Sequence, residues 1–555
     1  MRILLTTASS LFFSMTALAY DGIDIAALPP SVARDAGLLE AHLGMLRGDE
    51  HAALEGYLLT LSHGENNGAH RERALQIALL ADDVDTAVRL AKTLPDVPED
   101  PTMVWLLRMA IAAKNNDAST TLVWADRVRR ETPELLQLDL LRAYAERGRG
   151  VAVDSVIRQL GDAPEDPAQA ARYWYHVGRM QAQIGNFDAA ETAVARAVGL
   201  EPNALFSTLL LADIWRAQGR ADEAAALMDD YSEANPGMRL MGLPDAAAPA
   251  PHFDTGLDGD LASVLFDFGI IVWGQGGEAP ARQLLNLALW LAPDQPYALY
   301  YSAIVEEYGG HLETARDRFA ALATDPSLGL TARLRLAETL FKLGQTTEAY
   351  AEVGQLLKHQ PEEPSVLRAR GEMAFELNHF AEAKKRFKQL WPLTPESSPA
   401  PLRARLAFMI GAAAERGKDF KDAERWLKTS LDILPENPSV LNYLGYMWVE
   451  QNKNLDEAFL MLQTALVLSP QDGAITDSVG WAYYMQDNLE AAEAFVEKAA
   501  ELEPDDPVIL DHLGDIYAER GRTEEARWQW GRALDRARDA GDDEKLIKSL
   551  TRKLR

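Results

Sequence analysis

The chain has 555 residues, of which 47% are hydrophobic, and it carries a formal net charge of −29. That composition is too apolar for a disordered chain, and the length suits several domains or one extended array of repeats. The acidic balance argues against a nucleic-acid surface or a general anionic-membrane surface, and the lack of cysteine excludes disulfides, thiol catalysis, thiolate metal sites and lipid attachment to an N-terminal cysteine.

The N-terminal residues predict a cleavable export signal. Arg2 precedes a mostly apolar run, and residues 17–19 fit the small-x-small rule for cleavage before Tyr20. The alternative is a frayed first helix of the fold. We expect residues 1–19 to be removed on export, which places the mature chain in the periplasm without a direct membrane anchor.

Residues 20–236 predict an N-terminal array of divergent helical repeats. Trp174 and Gly178 begin one of its clearer copies, and the copies before residue 165 are weaker. Residues 237–260 are rich in proline, glycine and alanine and break the period. They predict a linker or a loop across the concave face of the array.

Residues 261–538 predict a second, better-ordered array, because three residue types recur with one period. The recurring residues are Gly445, Gly480 and Gly514, then Ala458, Ala492 and Ala526, then Pro435, Pro470 and Pro504. The intervals are 34 residues, except that the first glycine and proline intervals are 35. The extra residue lies in EQNKNLDEA, which we interpret as a turn between two helices.

Each repeat is predicted to be a pair of antiparallel helices. Gly480 and Ala492 mark the helix crossing, where a larger side chain would force the helices apart, and Pro504 ends the second helix. One pair cannot bury its apolar face alone. We therefore expect each pair to stack on its sequence neighbours and the stack to flex like a spring.

The last residues, 539–555, predict a capping helix. Leu546, Ile547, Leu550 and Leu554 form one apolar stripe that would cover the last repeat. The alternative is a basic amphipathic helix at a membrane surface.

The segments LNYLGYMW, TDSVGWAYY and LDHLGDIY resemble the first helix of the tetratricopeptide repeat. This resemblance implies an all-α, right-handed superhelical solenoid of helix-turn-helix repeats, in which repeat positions 2, 5, 9 and 12 line a concave groove. The series also resembles bacterial envelope repeat proteins, some of which are outer-membrane lipoproteins that bind C-terminal processing proteases and present substrates to them.

With Gly480 as position 8, the groove face of three consecutive repeats combines aromatic rings with acids. The predicted partner-binding residues are Asn442, Tyr446, Asp477, Trp481, Tyr484, Asp511 and Asp515. Tyrosine and tryptophan are common interface anchors, and the acids would attract Lys, Arg or an N-terminal amine. The alternative is that neighbouring repeats or the loop before residue 261 bury these rings.

The sequence contains no HExxH, GxSxG or P-loop motif, so we predict a non-enzymatic protein without cofactor or metal. The predicted function is a periplasmic scaffold or adaptor that binds a protein or peptide of apolar or basic character, with self-association left open. The alternatives are a substrate adaptor of an envelope C-terminal processing protease and a structural spacer in cell-wall or surface-polymer assembly.

Overall fold

The computed structural model describes residues 29–63, 68–95, 101–131, 135–235, 240, 253–540 and 544–555. Across these residues the chain forms helices and no strand, which confirms the all-α prediction. Two compact units make up the chain, residues 1–349 and 350–555. The predicted signal peptide, 1–19, lies outside the described residues, and so does most of the predicted linker, 237–260.

Most helices of the first unit are joined by short connections, and most consecutive helices pack together as hairpins. Their bounds are α1 (Pro30–Arg47), α2 (Glu50–Ser62), α3 (Gly68–Leu80), α4 (Val84–Ala91), α5 (Pro101–Lys114), α6 (Ala118–Glu131), α7 (Leu136–Gly148), α8 (Val153–Leu160), α9 (Pro167–Gln183), α10 (Phe187–Leu200), α11 (Leu205–Ala217), α12 (Ala221–Ala234), α13 (Gly256–Gly274), α14 (Glu278–Leu291), α15 (Pro296–Tyr308), α16 (Leu312–Ala321) and α17 (Gly329–Lys342). Helix α13 begins inside the range predicted as a linker.

Helix α18 (Thr346–His359) contains the division point, and the hairpins of the second unit follow it. Their helices are α19 (Pro364–Glu376), α20 (Phe380–Leu390), α21 (Ala400–Arg416), α22 (Phe420–Ile433), α23 (Pro438–Glu450), α24 (Leu455–Leu468), α25 (Gly473–Tyr484), α26 (Leu489–Leu502), α27 (Pro507–Glu519), α28 (Thr523–Ala540) and α29 (Glu544–Lys553). Within the described residues, no helix has the length and apolar character needed to cross a membrane.

Hairpins in both units have a glycine where the two helices cross. A β-carbon built on that glycine would lie closer than 3.0 Å to a side chain of the second helix, and this partner lies sixteen residues later, or seventeen in one hairpin. The pairs are Gly178 with Val194, Gly269 with Leu285, Gly371 with Phe387, Gly411 with Leu427, Gly445 with Leu462, Gly480 with Val496 and Gly514 with Trp530. Gly480 therefore lies at such a crossing, as predicted.

The longer spacing in the α23–α24 hairpin comes from its turn. Gly445 precedes the first residue of α24 by ten positions, whereas Gly480 precedes the first residue of α26 by nine. Asn452 and Asn454 both adopt left-handed backbone conformations, with φ of 50° and 48°. Asparagine tolerates this region better than most residues, so the turn accommodates the extra residue that the sequence placed in EQNKNLDEA.

In the first unit, helices far apart in sequence also pack together. Helix α14 contacts α3, α4 and α5, and α13 contacts α5 and α7. Helix pairs of this unit therefore stack on sequence neighbours, as expected, and some also pack on helices distant in the sequence. The physical reason lies in α14, where Leu284, Leu285, Leu287 and Leu289 place apolar side chains on several sides, so that more than one side must be covered.

A buried polar network accompanies this long-range packing. Arg282 donates through Nη1 to Glu50 Oε1 at 2.7 Å and through Nε to Glu306 Oε2 at 2.7 Å. Glu306 is 1% exposed, and its other oxygen accepts from Arg318 Nη1 at 3.2 Å. Asn286 donates to the backbone oxygen of Leu79 at 2.8 Å. Each buried carboxylate oxygen thus has a charged donor, as burial of an ion pair requires.

Replacing Gly480 with valine should destabilise the second unit by about 1–3 kcal/mol, because the new β-carbon would lie 2.5 Å from Val496 Cγ2. The matched control is Gly531→Ala in α28, where nothing lies within 4 Å of the added carbon. Helix propensity predicts that this control stabilises by about 0.5–1 kcal/mol. Calorimetry of the full-length chain measures both shifts, and a loss of similar size in both variants would contradict the crossing argument.

Candidate functional site

The first helices of four successive hairpins, α21, α23, α25 and α27, form one face of the second unit. Helix α23 contacts α25, and α25 contacts α27. Side chains fix where three of these helices begin: Asn437, Asp472 and Asp506 accept hydrogen bonds from the backbone N–H groups of Val440, Ile475 and Val508, respectively. These N-caps set a common register for the residues that follow.

A cavity of about 510 Å³ lies on this face, with walls from α21, α23, α25 and the starts of α22 and α27. Three of the predicted partner-binding residues, Asn442, Tyr446 and Asp477, line it. Phe420 and Val508 also belong to the wall and are 40% and 42% exposed, although both are apolar. The cavity therefore combines polar groups with apolar surface that water still reaches.

Sequence reasoning missed several residues of the wall, including Glu415, Arg416, Phe420 and Gln451. The same position rule, applied one repeat upstream with Gly411 as position 8, places Glu415 at position 12 and would have found it. Arg416 and Gln451 lie at helix ends and Phe420 begins a second helix, so no position rule of the first helices indicates them.

Three polar residues of the wall carry buried side-chain atoms without a hydrogen-bond partner in the described part of the chain. These atoms are Asn442 Oδ1, Gln451 Nε2 and Asp477 Oδ1. Leaving such a group unpaired costs about 1–3 kcal/mol each. The wall therefore offers two unused acceptors and one unused donor beside the cavity.

Trp481 and Tyr484, also predicted for partner binding, lie in an aromatic stack. The Trp481 ring stacks on Tyr484 with centroids 4.6 Å apart and on His512 with centroids 3.9 Å apart. The indole nitrogen donates to Glu450 Oε1 at 2.7 Å, which fixes the ring plane. Both rings are half-buried, so they support the wall of the groove from beside the cavity.

His512 and Asp477 form a buried pair beneath this stack. His512 Nδ1 lies 2.8 Å from Asp477 Oδ2, and the two residues are 8% and 4% exposed. Burial alone disfavours the charged imidazole, but the charge and hydrogen bond of Asp477, helped by Asp511 and Asp515, raise the pKa of His512 above its ordinary value. The structure therefore favours an imidazolium–carboxylate pair.

Asp511 and Asp515, the last two predicted partner-binding residues, already hold a lysine of the same chain. Lys553 Nζ, at the end of α29, lies 2.7 Å from a carboxylate oxygen of each acid. Leu550 of the same helix is fully buried among residues that include Leu510. Burial raises the pKa of Asp511, and Lys553 opposes that rise. These two acids therefore bind the C-terminal helix in this structure.

The cavity wall is acidic. Its charged residues among those described are Arg416, Glu415, Glu450, Asp477 and Asp506. Tyr443 donates its hydroxyl to Glu415 Oε2 at 2.8 Å, and burial together with that carboxylate raises the pKa of Tyr443 well above its usual range. No group of three His, Asp or Glu side chains in the described residues is placed to hold a metal ion.

Comparison with family models matches the chain to the tetratricopeptide repeat at residues 178–239, 334–384 and 480–543. The chain is also 30% identical over 170 residues to a TPR repeat-containing protein of Pseudomonas aeruginosa. That match covers 30% of this chain and 28% of the relative. The chain thus spans less than a third of that relative's length.

Several solved structures resemble the chain at low identity. A tetratricopeptide repeat protein from Parabacteroides merdae is 17% identical over 45% of this chain and 97% of that chain, with a TM-score of 0.37. The APC/C hetero-tetramer Cut9–Hcn1 is 14% identical over 88% and 97%, with a TM-score of 0.36. YrrB, described as a TPR protein with an unusual peptide-binding site, is 18% identical over 35% and 95%, with a TM-score of 0.29. Likeness of this degree transfers no ligand or partner.

The raised pKa of His512 gives a pH dependence of stability with a defined sign. A group whose pKa is higher in the folded state stabilises the fold at low pH, and this stabilisation is lost as pH rises through the folded pKa. The free energy of unfolding of the wild type minus that of His512→Gln should therefore be largest near about pH 6 and shrink towards alkaline pH. Denaturant titrations measure it, with His359→Gln, an exposed position, as control.

Replacing Lys553 with glutamine should destabilise the chain by about 1–3 kcal/mol at neutral pH, because two neighbouring carboxylates lose their charged donor. The loss should fade at acid pH, where Asp511, whose pKa is raised by burial, takes up a proton. The matched control is Lys548→Gln on the same helix, whose pair with Glu544 is exposed. Equal thermal shifts in both variants would show that the Lys553 bridge adds nothing.

Proposed function

We propose, from the matches to the tetratricopeptide repeat in three regions of the chain, that it is a protein–protein interaction scaffold whose groove along α21, α23, α25 and α27 holds an extended polypeptide segment. Proteins of this family are typically non-enzymatic scaffolds. The proposal specifies where the segment binds and that the segment is apolar and basic in character.

The observation that carries the proposal is the cavity of about 510 Å³ with exposed apolar residues in its wall. Its volume lies within the range of roughly 300–1,000 Å³ that is typical of ligand sites. Phe420 and Val508 are apolar, yet both expose part of their surface to solvent there. Exposed apolar surface in a concave site usually marks an interaction surface.

The unpaired polar atoms of the wall match the groups of an extended backbone. A polypeptide presents N–H donors and carbonyl acceptors in alternation, and Asn442 Oδ1 and Gln451 Nε2 supply one acceptor and one donor. Pairing removes the cost of leaving these groups buried and unsatisfied. A groove that is already formed also spares the entropy of assembling it on binding.

A periplasmic location is part of the proposal, and the sequence of residues 1–19 supports it. Export would remove these residues before Tyr20. The mass of the mature N-terminal peptide, isolated from the periplasmic fraction, tests this part.

A photo-crosslinking amino acid at position 508 tests the groove. Val508 lies in the cavity wall, whereas Leu460 on α24 is 63% exposed and lies outside the wall, so position 460 is the matched control. We expect crosslinks from position 508 to one or a few polypeptides, mapped by mass spectrometry to a short continuous segment. Crosslinks of equal yield and identity from position 460 would contradict a groove-bound segment.

A further inference from the structure

The carboxylates of the cavity wall differ in how their oxygens are satisfied. Glu415, Glu450 and Asp506 are half-buried or exposed, so water can reach them. Asp477 is 4% exposed, and only its Oδ2 has a partner, His512 Nδ1. Its Oδ1 is buried and unpaired within the described residues. Among the carboxylates of this wall, Asp477 therefore has a buried oxygen that still needs a hydrogen-bond donor.

A positively charged donor satisfies that need best. Hydrogen bonds to an ionised partner are roughly twice as strong as neutral ones, and the wall contains four acids but one arginine among the described residues. Tyr443 and Tyr446 also line the cavity, and aromatic rings of this kind attract cations. The long apolar stem of a lysine or arginine suits the exposed apolar rim at Phe420.

We propose that the cavity is a subsite for the lysine or arginine side chain of the bound segment, that Asp477 is its counter-ion, and that this cation competes with the proton of His512 for the same carboxylate. The proposal rests on the proposed function and names the group that the groove receives. It gives His512 a role in setting affinity although the side chain lies outside the cavity wall.

The competition follows from the geometry around His512. Its proton is held by Asp477 from α25, with Asp511 and Asp515 on its own helix adding negative charge. Lys553 from α29 neutralises part of the negative charge of Asp511 and Asp515. The ring centroid of the neutral Tyr446, on α23, lies 6.5 Å from that of His512. A second cation on Asp477 Oδ1 would stand within a few ångströms of the imidazolium, and like charges at that distance repel.

Thermodynamic reciprocity then fixes the sign of the effect. If the proton on His512 weakens binding of the cation, bound cation must weaken binding of the proton by the same factor. Affinity for a basic segment should therefore rise with pH, and the titration midpoint of His512 should fall when the segment binds. A midpoint that falls by one unit corresponds to an affinity change of about tenfold.

Two short peptides test the subsite on the full-length protein: acetyl-Ala-Ala-Arg-Ala-Ala-amide and the same peptide with citrulline, which has the shape of arginine without its charge. Histidine-selective isotope labelling reports the titration of His512 among the ten histidines of the chain, and His512→Gln assigns its signal. We expect the arginine peptide to bind about tenfold tighter at about pH 8.5 than at about pH 6 and to lower the His512 midpoint. The citrulline peptide should show no pH-dependent gain in affinity and should leave the His512 midpoint unchanged.

The variants separate charge from structure. His512→Gln keeps a donor for Asp477 Oδ2 without a titrating proton, so it should bind the arginine peptide at acid pH as tightly as the wild type does at alkaline pH. Asp477→Asn should bind both peptides equally. Glu457→Gln, a control that removes the same charge from an exposed position on α24 outside the wall, should retain both the preference for arginine and its pH dependence.

Three results would overturn the proposal. Equal binding of the two peptides excludes a cation subsite, and no binding of the arginine peptide at about 10 mM, where even weak sites fill, excludes it as well. A preference for arginine that does not change with pH excludes competition with His512. The groove itself is tested separately by crosslinking through position 508, so these results leave the proposed function standing or failing on its own.

Discussion

The close approach of the two helices in each hairpin is the constraint on which the rest of the structure depends. A missing β-carbon on the first helix makes room for a valine, leucine, phenylalanine or tryptophan of the second, as at Gly480 and Val496. Because the same offset recurs, each hairpin has nearly the same shape, and successive hairpins stack in the same way. The groove face exists because this repetition sets the first helices side by side.

That regular scaffold also allows irregular chemistry in the groove. The crossings are made by buried small and apolar residues, and the hairpins keep their shape whatever polar residues occupy the other face of the first helices. The wall can therefore contain unpaired polar atoms at Asn442, Gln451 and Asp477. Their burial lowers the free energy of unfolding, and the packing at the helix crossings offsets that loss. Binding sites often retain unpaired groups of this kind because a partner completes them.

The repeat period predicted the helical fold because each recurring glycine, alanine and proline has a local, physical role at its own position. The same period predicted Asn442, Tyr446 and Asp477, which the structure brings to one cavity. It could not predict that Lys553 occupies Asp511 and Asp515, because that contact depends on where the last helix packs. Nor could it predict the pairing of Asp477 with His512, which joins side chains 35 residues apart on neighbouring first helices.

The long-range contacts of the first unit have a consequence for its synthesis. Asn286 and Leu79 are 207 residues apart in the chain, so α3 cannot complete its packing until α14 has been made. At synthesis rates of about 5–20 residues per second, roughly 200 residues take about 10–40 s. Throughout that interval the apolar surface that α3 will bury against α14 lies open on the nascent chain. Folding of this unit therefore competes, for tens of seconds, with association of that surface with other chains.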